Sequence, residues 1–214
     1  AVSMVGVAVP VTLQHAIVQI GILLVQSVIS SFGSTALAAY SADMRIESLS
    51  IVPILAMGNA MSTFTAQNMG AGKIDRVKEG YRMCYVIVLT AGAVLCVMYQ
   101  LAGGAFVSLF LESGSREAYS VGLSYVKFLS FFYSFIGLKA STDGLLRGAG
   151  DVTAFTVANL VNLAIRVSVT NLFAPIYGIQ VAWMAVPLGW AANWMISCGW
   201  WLTGKWKRVR VIKK

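Results

Sequence analysis

Six apolar runs, each of twenty residues or more, limit what this chain can fold into. They cover about Val5–Ser30, Ala36–Met69, Tyr81–Leu101, Ala118–Leu145, Val152–Phe173 and Ile176–Leu202. About 20 helical residues cross a ~30 Å hydrocarbon core. Barrel strands would be about ten residues long and would alternate strictly, and these runs do neither. Charged residues are only 11% of the 214 positions, against about 25% in a typical soluble domain. Too few polar side chains remain to cover a globule, so lipid must solvate much of the surface. The expected fold is an all-α membrane protein of six transmembrane helices, with residues 1–204 in the membrane unit and 205–214 as a basic tail.

Turn chemistry separates the runs. Ser34 and Thr35 offer hydroxyls to cap the second helix, and Asp151 is placed to cap the fifth. Gly70-Ala71-Gly72 supplies glycine where a helix must end, and Pro175 is expected to close the fifth. None of the glycine clusters follows a strand or carries the Lys-Ser/Thr of a phosphate loop. The three cysteines, Cys84, Cys96 and Cys198, lie in apolar runs and have neither disulfide nor zinc spacing. The chain does not begin with Met, which reads as an interior boundary of a longer protein or as the cut edge of an expressed segment.

Basic residues orient the helices. The loops after the second and fourth spans share a side with the C-terminal tail, and that side carries eleven of the sixteen Lys and Arg residues. By the positive-inside rule both termini are cytoplasmic, in the plasma membrane. The net charge of +8 sits mainly there and suits anionic lipid headgroups. A nucleic-acid partner would want basic and aromatic residues interleaved on a soluble module, and none is expected. Trp200, Trp201 and Trp206 read as interfacial anchors beside the tail.

The informative residues are those that lipid should reject. An ionisable group at bilayer depth costs about 2.5–3.5 kcal/mol on insertion scales, so it normally faces water or a partner. Lys127 and Lys139 lie about 8–10 Å either side of a fourth helix centred near Phe132. Asp143 is four residues from both Lys139 and Arg147, so the three can form one ion-pair stripe. In the fifth helix Asn159, Asn162, Arg166 and Thr170 share a face, which either bonds to a neighbouring helix or lines a cavity. The first helix carries Gln14, His15, Gln19 and Gln26. The second carries Asp43, Arg45 and Glu47 ahead of Pro53, which can kink it. The residues expected to line a cavity are Gln14, Gln19, Arg45, Glu47, Lys127, Lys139, Asn162 and Arg166. No carboxylate is expected near the midplane. No nucleophile–base pair or metal-ligand spacing points to an enzyme or a bound cofactor.

Three stretches carry a resemblance. They are Val9-Pro10 with Gln14 and Gln19; Ala36 through Pro53 to Gln67-Asn68-Met69-Gly70-Ala71-Gly72; and Asp143-Gly144-Leu145-Leu146-Arg147-Gly148-Ala149-Gly150-Asp151. In this order, between six matching spans, they resemble the C-terminal lobe of multidrug and toxic compound extrusion (MATE) transporters. The resemblance implies one lobe of a twelve-helix, V-shaped antiporter, with the missing N-terminal lobe as partner. Such an antiporter exports organic, often cationic, drugs or metabolites in exchange for H⁺ or Na⁺. The sodium-coupled branch has Glu, Tyr and Asp where Val18, Phe132 and Ile136 stand here. None of these three can offer a hard cation an oxygen ligand, so the resemblance points to H⁺ rather than Na⁺ and to a coupling acid in the other lobe. A lipid-linked oligosaccharide flippase of the same superfamily and a non-transporting scaffold subunit are the alternatives. The exporter reading requires a solvated cavity beside Lys139, Asn162 and Arg166.

Overall fold

The structure is a computed structural model that describes the backbone of residues 2–111 and 116–208 and the side chains of 16–111 and 116–207. Among these residues lie seven α-helices: α1 (Val2–Ser30), α2 (Ser34–Gly70), α3 (Ile74–Phe110), α4 (Arg116–Ser130), α5 (Tyr133–Gly148), α6 (Val152–Tyr177) and α7 (Ile179–Leu202). A 3₁₀ turn follows at Lys205–Arg208. By length and hydropathy α2, α3 and α6 can each cross a membrane, and so can the pair α4–α5, bent by 52°, if taken as one span. α1 and α7, 29 and 24 residues long, take the places of the first and last expected spans.

The fourth expected span is therefore not one helix. It breaks at Phe131-Phe132, without proline or glycine, because the backbone finds substitute partners there. The Ser130 hydroxyl donates to the Lys127 carbonyl at 2.7 Å, and the Gln100 amide of α3 donates to that carbonyl at 2.9 Å and to Ser130 Oγ at 3.0 Å. A carbonyl served twice from side chains no longer needs its helical donor, and a helix bends where such groups intrude on its ladder.

The ends are set partly as expected. Asp151 Oδ1 accepts from the Ala154 amide at 3.2 Å and caps α6. Ser34 and Thr35 do not cap α2. Gly33 takes that place at φ 102°, without a side-chain bond. α6 also runs past Pro175 to Tyr177 and ends at Gly178, φ 90°. Both ends need the left-handed backbone that only glycine adopts without strain. α3 is far longer than its apolar core, at 37 residues or about 55 Å. The tail does not simply leave the membrane unit. Trp206 is 1% exposed, packs in a cluster with Val77, Tyr81 and Leu145, and donates its indole N–H to the Trp201 carbonyl. Trp200 donates to Asp151 Oδ2 at 2.7 Å. These two tryptophans tie the end of α7 to the bundle rather than anchoring freely at an interface.

α5 is the hub, packed on α2, α3 and α7, while α6 pairs with α7 and α1. Small residues allow it. Ala140, Gly144 and Gly148 recur every four residues on α5 and lie against Gly58 and Ser62 of α2. On the other side Gly92 of α3 meets Ser134, and Gly137 meets Val88. Such small-residue stripes bring membrane helices into backbone contact, where dispersion rather than hydrophobic transfer holds them. The contacts between α1 and α2, and between α5 and α6, are few by comparison. The lobe is consequently open along that seam.

Candidate functional site

The open seam is a cavity of about 560 Å³ walled by α1, α2, α5 and α6, with Trp190 of α7 at its side. Five of the eight expected site residues line it: Gln19, Glu47, Lys139, Asn162 and Arg166. Gln14 lies outside the residues whose side chains are described, as does His15. Arg45 and Lys127 do not line it. Arg45, two residues before Glu47, is turned about 200° around α2 and is exposed. Lys127 precedes the break, so the bend takes its face away from α5's, and its stem lies beside Gly103 of α3. Both Lys127 and Lys139 were expected to line the cavity, and only Lys139 does.

Asp143 organises the wall. Lys139 Nζ donates to Asp143 Oδ2 at 2.9 Å and to Asn159 Oδ1 at 3.0 Å, while Asn159 Nδ2 donates to the same carboxylate oxygen at 3.2 Å. The Ser197 hydroxyl of α7 donates to Asp143 Oδ1 at 2.9 Å. One buried carboxylate thus joins α5, α6 and α7. The expected stripe of three ion-paired residues holds for Lys139 and Asp143 but not for Arg147. The latter turns to α2, where Nη2 donates to Asn59 Oδ1 at 2.7 Å and the guanidinium stands 5.6 Å from the Phe155 ring centroid.

The remaining charges are less occupied. Glu47 accepts a long bond of 3.4 Å from the Tyr125 hydroxyl and has no ion-pair partner among the described residues. Arg166, half-buried, makes neither a hydrogen bond nor an ion pair among the described residues. One turn earlier Asn162 Oδ1 is buried without a donor. Thr170 continues the polar face of α6 but is fully buried away from the cavity, its hydroxyl also unpartnered. Gly189 of α7 makes room for this pair, since a Cβ there would stand 3.0 Å from Arg166 Cγ and 3.1 Å from the Asn162 carbonyl. Gly189→Val should therefore push α7 off α6 and lower stability by about 1–3 kcal/mol. Chemical unfolding of the purified protein checks this, and a neutral result would mean that the two helices repack freely.

Asn59, Asn159, Asp143 and Ser197 were not among the expected cavity residues. Asn159 and Asp143 stood out only as parts of polar stripes. Asn59 is a single amide in an apolar helix, a weak signal of interhelical bonding. Ser197 carries no signal of its own. No group of three or more His, Cys, Asp or Glu residues that could hold a metal is found among the described residues.

A family model described as MatE matches residues 10–172. The chain belongs to the MATE family. Among its relatives, a probable multidrug resistance protein YpnP of Bacillus subtilis is 26% identical over 204 residues, covering 95% of this chain and 45% of that protein. A probable multidrug resistance protein NorM of Thermotoga maritima is 20% identical over 214 residues, covering 96% and 44%. The outward-facing structure of a MATE transporter superposes with a TM-score of 0.86 at 18% identity, over 95% of this chain and 45% of that one. This MATE-family chain thus has the fold of one lobe of such a transporter. It spans less than half the length of the curated relatives it matches. Like the rest of the family it is an integral membrane protein.

Proposed function

We propose that this chain is the C-terminal lobe of a secondary active exporter of organic solutes in the plasma membrane, with both ends of the lobe on the cytoplasmic side. The observation that carries it is the charged and amide-lined cavity between α1, α2, α5 and α6 in a lobe otherwise made of apolar spans. The names of YpnP and NorM as probable multidrug resistance proteins agree with this reading. A second six-helix lobe faces the open seam and completes the site, and the two lobes rock about the solute between them. Anionic lipid headgroups hold the basic tail.

Protons rather than sodium ions drive the exchange. Val18 and Ile136 bring only hydrocarbon to the cavity wall, and Phe132 caps α5 at the break. Asp143 stays engaged by Lys139, Asn159 and Ser197, and the coupling acid belongs to the facing lobe. The family match does not favour a flippase of lipid-linked sugars. In native vesicles, export of fluorescent organic dyes should stop when a protonophore collapses the gradient and continue when sodium is replaced by choline. Flux that ignores both treatments would remove the antiport reading. A scaffold without transport would instead show Arg166→Met changing stability with no flux to change.

A further inference from the structure

We infer that this cavity selects organic anions: it takes an amphiphile whose carboxylate, sulfonate or phosphate ester is gripped by Arg166. The inference rests on the proposed transport and names its cargo.

Charge on the wall decides it. Three basic side chains, Lys139, Arg147 and Arg166, face two acidic ones, Glu47 and Asp143. The cations are not equivalent. Lys139 spends two of its three donors on Asp143 and Asn159, and its charge is met by Asp143. Arg147 is held by Asn59 and the Phe155 ring. Arg166 keeps five N–H donors with no acceptor among the described residues. A guanidinium is always charged, and its planar fork matches carboxylate and phosphate oxygens two at a time. Its nearest counter-charge, Glu47, stands beyond ion-pair distance, and a half-buried guanidinium left so is unfavourable unless water or a ligand supplies acceptors.

Asn162, one turn from Arg166, also lines the cavity, but its Oδ1 is buried against Gly189 of α7, so Arg166 alone offers the anion its contact. The apolar body has Ile51, Leu55 and Trp190 to lie on. A cation would find the wall net positive and Asp143 already accepting three bonds. Glu47 is the one carboxylate open to it, which makes Glu47 the control.

The test uses the protein as it occurs in its native membrane, with every chain that accompanies it, reconstituted into vesicles. Flux of carboxyfluorescein is compared with flux of ethidium. The anion-to-cation flux ratio should exceed one, fall about ten-fold or more in Arg166→Gln, return with Arg166→Lys, and rise in Glu47→Gln. A ratio below one that falls in Glu47→Gln and ignores Arg166 would overturn the inference and leave transport standing. Absence of gradient-driven flux for both dyes would end the transport reading and the inference with it. Vesicles with and without phosphatidylglycerol separate the sources of the anion. Suppression of carboxyfluorescein flux by that lipid in the unaltered protein, lost in Arg166→Gln, makes a lipid phosphate the occupant of the same anion site. Equal flux in both vesicles makes it a free solute.

Discussion

Replacing Asp143 by leucine should destabilise the lobe by about 3–5 kcal/mol, and replacing Lys139 by methionine in the same variant should recover most of that loss. Asp143 is 5% exposed and accepts from Lys139, Asn159 and Ser197, so its removal strips an acceptor from three helices at once. Lys139, left with Asn159 alone, then holds an uncompensated charge in a place of low dielectric. That stranded charge, rather than the lost attraction, dominates the cost. An ion pair gains little over a hydrocarbon pair of similar volume once both desolvation penalties are counted. A double-mutant cycle on the purified protein, unfolded in mixed micelles, should give a coupling of about 2 kcal/mol or more. A double variant no more stable than Asp143→Leu would mean that Lys139 is hydrated through the cavity in the single variant. The Asp143 network would then be worth only its hydrogen bonds.

The stripe of Lys139 and Asp143 was legible because both lie on one helix, and helical spacing alone brings residues four apart together. The same reasoning failed for Arg147, whose partner Asn59 is 88 residues away on α2. Spacing ranks neighbours along a helix and has no access to which helix lies opposite. The six apolar runs, the cap at Asp151 and the polar face of Asn159, Asn162 and Arg166 are local properties, and all could be read. The break at Phe131-Phe132 could not. Its cause is Gln100, a residue of α3 whose amide reaches the Lys127 carbonyl. A kink made by a neighbour's side chain has no proline or glycine to announce it. The expected place of Lys127 beside the cavity rested on its depth in the span, and depth does not say in which direction a side chain points.

The glycines of α5 lead to a second large expected effect. Gly144→Val should prevent assembly of the lobe, and Gly144→Ala should cost about 1–3 kcal/mol. A Cβ at Gly144 would run into the Gly58 carbonyl group and stand 3.2 Å from the Gly58 Cα, and one at Gly58 would stand 2.7 Å from the Ala140 carbonyl oxygen. The obstacle on each side is backbone, which cannot rotate away as a side chain can. α2 and α5 would have to separate by about the width of a methyl group, forfeiting dispersion along a crossing that small residues alone keep close. The neighbouring Asn59–Arg147 bond crosses the same seam and would lengthen with it. Gly199→Ala is the control, because it adds the same atoms in a helix where nothing lies within 4 Å. There the higher helix propensity of alanine should leave stability unchanged or raised by up to about 1 kcal/mol. Recovery of monodisperse protein by size exclusion, followed by unfolding in micelles, reads all three variants. Equal recovery of Gly144→Val and Gly199→Ala would show that α2 and α5 do not meet through their backbones, and the floor of the cavity would have to be rebuilt around a different crossing.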